Sequence, residues 1–130
     1  MTTRSQYAPP WDWTTGVRIS QAVRVGDFIF TSGQVAYDAN GRLVGVADMR
    51  AQAKQTFANI REILALAGAT MDDVVKITAF ITDIAKYGHY SEIRAQTFTR
   101  NVPASSTVAV SGLINPDLLL EVEAVAFKPL

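Results

Sequence analysis

The stretch Leu118–Phe127 sets the strongest condition on the fold, because it alternates as a strand yet carries apolar side chains on both faces. Leu118, Leu120, Val122, Ala124 and Ala126 fall on one face, and Leu119, Glu121, Glu123, Val125 and Phe127 fall on the other. Successive strand side chains point to opposite faces, so each set needs its own cover. An antiparallel sheet with one wet face shows apolar–polar alternation instead. A single layer of helices covers one face and leaves the other to water or a partner. The pattern therefore points to sheet packed against sheet between copies of the chain.

The other segments supply the helices and the remaining strands. Arg18 to Val25 alternates through Ile19, Gln21, Val23 and Val25; Gly26-Asp27 offers a two-residue turn; Phe28 to Ser32 follows as a second strand. Together these read as a hairpin. Asp38-Ala39-Asn40-Gly41 is a further turn signal. Asp48 is placed to cap a helix that Gly68 ends, and between them Ala53, Phe57, Ile60, Leu64 and Ala67 recur at four-three spacing. Gln52, Gln55, Asn59 and Glu62 are assigned largely to the opposite side. Val74 to Thr82 alternates as a strand, with Val75, Ile77, Ala79 and Ile81 on one face and Lys76, Thr78, Phe80 and Thr82 on the other. A second helix is expected over about Lys86 to Arg100, capped by Asp83, with Tyr87, Tyr90, Ile93 and Phe98 as its apolar face. Pro103 ends it, and Ser106 to Ser111 is β-rich. The order predicts an α+β two-layer sandwich, a mixed β-sheet with two helices on one face. Residues 1–16, with Pro9, Pro10, Trp11, Trp13 and Gly16, read as an irregular N-terminal arm whose tryptophans pack on something, and residues 17–130 as a single domain.

Composition excludes several classes. The chain has 130 residues, 48% of them apolar, which suffices for one core. Its 12 basic and 12 acidic residues balance and form no Lys/Arg run, against a nucleic-acid partner. It has no cysteine, so no disulfide or thiolate chemistry, which suits a reducing, cytoplasmic setting. The opening residues lead into no apolar run, and no stretch reaches the roughly 20 apolar residues of a membrane span. One histidine and scattered carboxylates make no metal pattern. Neither phosphate-binding glycine pattern occurs.

Three places carry candidate chemistry. Glu123 sits mid-strand among apolar neighbours, where a carboxylate is solvated, paired or functional, in the last case as a base with a raised pKa. Ser105-Ser106-Thr107 is a hydroxyl cluster after a proline, of the kind that serves turns and strand ends; a nucleophilic serine needs a base. The only histidine, His89, falls on the second helix as a solvated residue. Thr31-Ser32-Gly33-Gln34 ends a strand with a glycine that suits either a close ligand approach or an ordinary bulge.

Across about residues 17 to 128, these pieces resemble the Rid (reactive intermediate deaminase, RidA/YjgF) family. The resemblance rests on Ser20-Gln21-Ala22-Val23, Gly26-Asp27, Thr31-Ser32-Gly33-Gln34-Val35, Gln52-Ala53 through Gly68, Asp73-Val74-Val75-Lys76, Pro103-Ala104-x-Ser106-Thr107 and Glu121-Val122-Glu123-Ala124-Val125-Ala126, in that order. It implies a chorismate-mutase-like fold, with sheets packed into a trimeric barrel and ligand clefts between subunits of a homotrimer. It also implies hydrolysis of enamines and imines to a 2-keto acid and ammonia, without a cofactor. By the resemblance, Glu123 is the catalytic glutamate, and Ile19, Ser32, Gly33, Ser91, Ser105 and Thr107 face the ligand. Three of these positions depart from the family: Ile19 replaces an aromatic residue, Ser91 an asparagine, and Ser105 the arginine that clamps the substrate carboxylate.

Loss of a desolvated, bidentate guanidinium–carboxylate contact costs roughly 2–5 kcal/mol, or about 30- to several-thousand-fold. Ordinary 2-iminobutanoate or 2-iminopropanoate deamination is therefore expected only if Arg18 or Arg94 substitutes. The leading expectation is a divergent enamine or imine hydrolase that binds a small metabolite. Its rivals are a non-catalytic metabolite sensor and the ribonuclease or translation-inhibitor role of the older family label. The balanced charge and lone histidine speak against the last of these.

Overall fold

The computed structural model describes residues 4–130, so residues 1–3 of the expected arm lie outside the described residues. The chain runs β1 (Arg4–Tyr7), β2 (Ala22–Val25), β3 (Phe28–Thr31), α1 (Met49–Leu66), β4 (Val74–Ile81), α2 (Tyr87–Thr97), β5 (Ala104–Ala109) and β6 (Leu120–Phe127). Single 3-10 turns at Met71–Asp73 and Ile84–Lys86 precede β4 and α2. The six strands form one sheet in the order β1-β2-β3-β6-β4-β5. All neighbours are antiparallel except β4 and β5, which are parallel and joined by the α2 crossover.

Local chemistry explains the clearest elements. Gly26 takes φ +57° in the two-residue turn between β2 and β3, a conformation that side chains with a Cβ avoid. The Asp48 side chain accepts the Ala51 N–H at the start of α1. At its end Gly68 adopts φ +81°, with Ala69 N–H bonded to Leu64 O at 2.9 Å and Gly68 N–H to Ala65 O at 3.1 Å. This paired closure satisfies carbonyls that the helix itself leaves free.

One face of the sheet carries the core. Ala22, Ile29, Ile77, Ala79, Leu120 and Val122 are fully buried and join one cluster with Phe57, Ile60 and Leu64 of α1 and Tyr90 of α2. The other face is uncovered in a single copy. Phe28, Phe30 and Phe127 remain 45%, 46% and 41% exposed there, and the Phe28 and Phe127 rings lie 5.1 Å apart. The expected sandwich of a mixed sheet under two helices is thus the observed architecture.

Several details differ from the sequence expectation. The arm opens with a strand, because Arg4–Tyr7 pairs with Ala22–Val25. Pro9 and Pro10 have no N–H to continue the ladder, so the chain leaves the sheet there and β2 begins at Ala22 rather than Arg18. The tryptophans do pack: Trp11 and Trp13 stack at 5.4 Å, and Trp13 Nε1 donates to Asp38 O at 3.0 Å. Val75 does not share a face with Ile77, because the β4–β6 register slips between Val74 and Lys76; this bulge buries Val74 and exposes Val75. α2 stops at Thr97, where Phe98 leaves helical geometry and buries its ring edge-on against Phe57. β5 begins at Ala104 and β6 at Leu120.

Gln52 and Asn59 are the largest correction. Both are buried rather than on a wet helix side, because loop backbone covers that flank of α1. Gln52 Nε2 donates to Gly45 O (3.0 Å) and Asp117 O (2.9 Å), and its Oε1 accepts from Leu119 N–H at 2.8 Å. Asn59 Nδ2 donates to Val35 O and Tyr37 O. Gln52 therefore fixes the segment that leads into β6. Gln52→Ala would leave three part-buried backbone groups without their partner and is expected to lower stability by about 1–3 kcal/mol. Urea unfolding of the two proteins measures this, and an unchanged midpoint would refute it.

Candidate functional site

The polar half of the site on the open sheet face is built by a bulge. β3 pairs with β6 as Phe30↔Val125, yet Gln34 pairs with Val122, so one extra residue is accommodated around Ser32-Gly33. Ser32 Oγ donates to Ser20 O at 2.6 Å and its N–H to Gln21 O at 2.9 Å. Thr31 Oγ1 accepts the Ala124 N–H at 3.0 Å, which replaces a lost ladder bond. The glycine matters because of what stands against it. A methyl group built at Gly33 would overlap the Glu121 carboxyl, with its Cδ 2.7 Å away.

Glu121 is thus the carboxylate brought to Ser32 and Gly33, a residue the sequence reading passed over. It lies opposite Phe80, half-buried, with no basic group within salt-bridge distance among the described residues. Burial pushes its pKa up, and the nearby charge of Glu123 pushes it the same way. Glu123 sits two residues along the same face, exposed and opposite Thr78. Strand alternation places both glutamates on this face; the Gly33 contact and the deeper burial of Glu121 distinguish them.

The second half lies on the helix face. β5 is aligned so that Ser105 neighbours Ile77 and Thr107 neighbours Ala79, residues buried beneath the helices. Ser105 and Thr107 therefore face α2, whereas Ser106 faces the other way and accepts from Lys76 Nζ at 2.8 Å. A cavity of about 810 Å³ opens between β5 and α2, lined by Ser105, Thr107, Pro103, Tyr87, Phe98 and Arg94 among others. The Arg94 guanidinium lies 5.6 Å and 5.3 Å from the ring centres of Tyr87 and Tyr90, and Nη2 donates to Ser91 Oγ at 3.1 Å. The Tyr90 hydroxyl is buried without a hydrogen-bond partner. Burial raises its pKa, opposed by the Arg94 charge.

The candidate residues consequently fall into three places. Ser91, Ser105 and Thr107 gather with Arg94 on the helix face; Ser32 and Gly33 gather with Glu121 on the open face, and the sheet stands between them. Ile19 and Arg18 line a third place, a cavity of about 430 Å³ beside Tyr7 and Ser20, which the Ser32–Ser20 bond ties to the bulge. Of the two candidate substitute guanidinia, Arg94 shares the cavity of Ser105 and Arg18 does not. His89 is exposed on α2. No cluster of three metal-ligating side chains occurs among the described residues, and no helix there is long and apolar enough to cross a membrane.

Fold and site together define a small α+β sandwich with polar side chains gathered on opposite sides of its sheet. The chain belongs to the family described as Endoribonuclease L-PSP, whose model matches residues 14–128. A RutC family protein of Pyrococcus abyssi is 38% identical over 109 residues, covering 84% of this chain and 85% of its own. The crystal structure of Rv2704 from Mycobacterium tuberculosis, described as a member of the YjgF/YER057c/UK114 family, superposes with a TM-score of 0.83 at 32% identity, over 96% of this chain and 99% of that one. RidA from an Antarctic Psychrobacter superposes with a TM-score of 0.80 at 31% identity, over 87% and 90%. The Rid/YjgF resemblance and its fold are therefore established.

The raised pKa of Glu121 has a measurable sign. The folded chain holds this proton more tightly than the unfolded chain, so stability falls as pH rises from the ordinary glutamate range through the folded-state value. Carboxyl NMR titration is expected to place the Glu121 midpoint above that of an unperturbed glutamate, with a decrease in Glu123→Gln. A Glu121 midpoint at or below the ordinary value would contradict this account.

Proposed function

We propose that the chain is a cofactor-free hydrolase of small, reactive enamine or imine intermediates, acting in clefts between the subunits of a homotrimer. The observation that supports this most is the separation of Glu121 from Ser105 and Arg94 by the sheet. A single ligand can meet both groups only if they come from two copies. The uncovered apolar face, with Phe28, Phe30 and Phe127, suits such packing of sheet on sheet.

In this reading Glu121 orients a water and takes its proton as the oxygen adds to the C=N carbon. Glu121 passes that proton to the nitrogen to give the carbinolamine, then carries the hydroxyl proton to the same nitrogen as the C–N bond breaks, so ammonia leaves a carbonyl product. A half-buried carboxylate with a raised pKa suits that exchange near neutral pH. The bulged Ser32-Gly33 backbone leaves room for it. Glu123 supports the raised pKa through its charge. Ser105 supplies no charge, so the smallest 2-imino acids are poor substrates.

Two measurements test this. Light scattering is expected to give the mass of a trimer, and a monomer would refute the intersubunit cleft. Ammonia release from imines generated in situ by an amino-acid oxidase is expected to exceed the uncatalysed rate and to fall about 10²-fold or more in Glu121→Gln. Refolding mixtures of Glu121→Gln with Arg94→Ala should regain activity that neither variant has alone. No recovery would argue against a shared site.

A further inference from the structure

We propose that Arg94, from helix α2, receives the ligand's carboxylate in place of strand position 105, and that the site selects acids bearing a large apolar side chain. The inference rests on the hydrolase reading only for the identity of the reacting group; the binding claim stands separately.

Arg94 meets the conditions for an anion receptor. It is half-buried in the cavity that Ser105 lines. Among the described residues it has no carboxylate partner; it donates to Ser91 Oγ and makes looser contacts with the Tyr87 and Tyr90 hydroxyls. A guanidinium has five N–H donors, so most of its donor capacity is unspent in a partly desolvated place. The Tyr87 and Tyr90 rings hold it from one side. The Tyr90 hydroxyl is buried away from the cavity lining and interacts with Arg94 and Ser105, which helps to hold the guanidinium in place.

The rest of the cavity states the other half of the ligand. Beyond Arg94 the walls include Tyr87, Phe98 and Pro103, together with Ile84 and Val102, two apolar side chains that are largely exposed. At about 810 Å³ the space lies in the upper part of the range for drug-sized ligands, roughly 300–1,000 Å³. A three- or four-carbon acid leaves this apolar wall wet, whereas a branched or aromatic side chain covers it. Moving the charge from β5 to α2 vacates the space at Ser105 that such a side chain needs.

Binding to the full-length protein tests this without catalysis, using stable keto acids. Isothermal titration is expected to rank phenylpyruvate and 4-methyl-2-oxopentanoate well above pyruvate, with neutral phenylacetone weak. Arg94→Ala and the stem-preserving Arg94→Gln should each lose about 30-fold or more for phenylpyruvate. Both should lose less than about threefold for phenylacetone, with circular dichroism confirming the fold. Arg94→Lys should retain part of the affinity. Ser105→Arg should shift preference towards pyruvate. Pyruvate binding as tightly as phenylpyruvate, unchanged affinity in Arg94→Gln, or no binding of any probe overturns the proposal. Phenylpyruvate binding that depends on Arg94 without turnover of any imine would uphold the receptor and sink the hydrolase reading instead.

Discussion

The structure depends on β6 being packed from both sides. It pairs along one edge with β3 and along the other with β4, and its alternate residues Leu120, Val122, Ala124 and Ala126 are committed to the helix layer. A slip of one residue would send Glu121 and Glu123 into the core and expose that apolar set. The register is therefore fixed by burial. Everything functional is positioned relative to it: Glu121 on the open face, the β3 bulge across from it, and β5 held at fixed register through β4. Gln52 anchors the entrance to this strand from α1, so the helix layer and the strand that carries Glu121 are tied by hydrogen bonds as well as by apolar contact.

A sheet is also a wall. Groups on its two faces cannot meet on one small ligand, and this chain divides its polar residues between them. The bulge at Ser32-Gly33 lets a carboxylate lie against backbone on the open side, and the β5–α2 gap offers a cation on the other. The exposed phenylalanines of the open face then acquire a meaning that a lone copy does not give them. Desolvation on association would act on Glu121 in the direction in which burial already acts.

What was legible in the sequence was whatever periodicity encodes. The four-three spacing of Ala53, Phe57, Ile60 and Leu64 and the alternation of β6 identified real elements and the right faces. Periodicity is blind where one residue is inserted or where a polar side chain is buried with partners distant in sequence. Val75 was misplaced because a bulge shifts the phase, and Gln52 and Asn59 because their acceptors lie on loops far along the chain. The pairing of Arg4–Tyr7 has no internal period long enough to read. Glu121 and Glu123 are equivalent to alternation; what separates them is burial and the Gly33 contact, which appears only once β3 is bulged.

Arg94 belongs to the same lesson, because its position follows from helix geometry acting through Tyr87 and Tyr90. Residues 87, 90, 91 and 94 are three or four apart, so they stack along one side of α2. Tyr90 is drawn into the core beside Phe57, at 6.0 Å between ring centres, and Tyr87 packs 6.0 Å from Tyr90. The two rings leave Arg94 a surface to lie on and Ser91 a bond to offer, so the guanidinium loses rotamer freedom before any ligand arrives. Pre-ordering of this kind lowers the entropic cost of binding an anion. An arginine at position 105 would sit on an edge strand and occupy the cavity itself. On the helix the same charge stands at the margin, and the cavity keeps its depth for the uncharged part of the ligand.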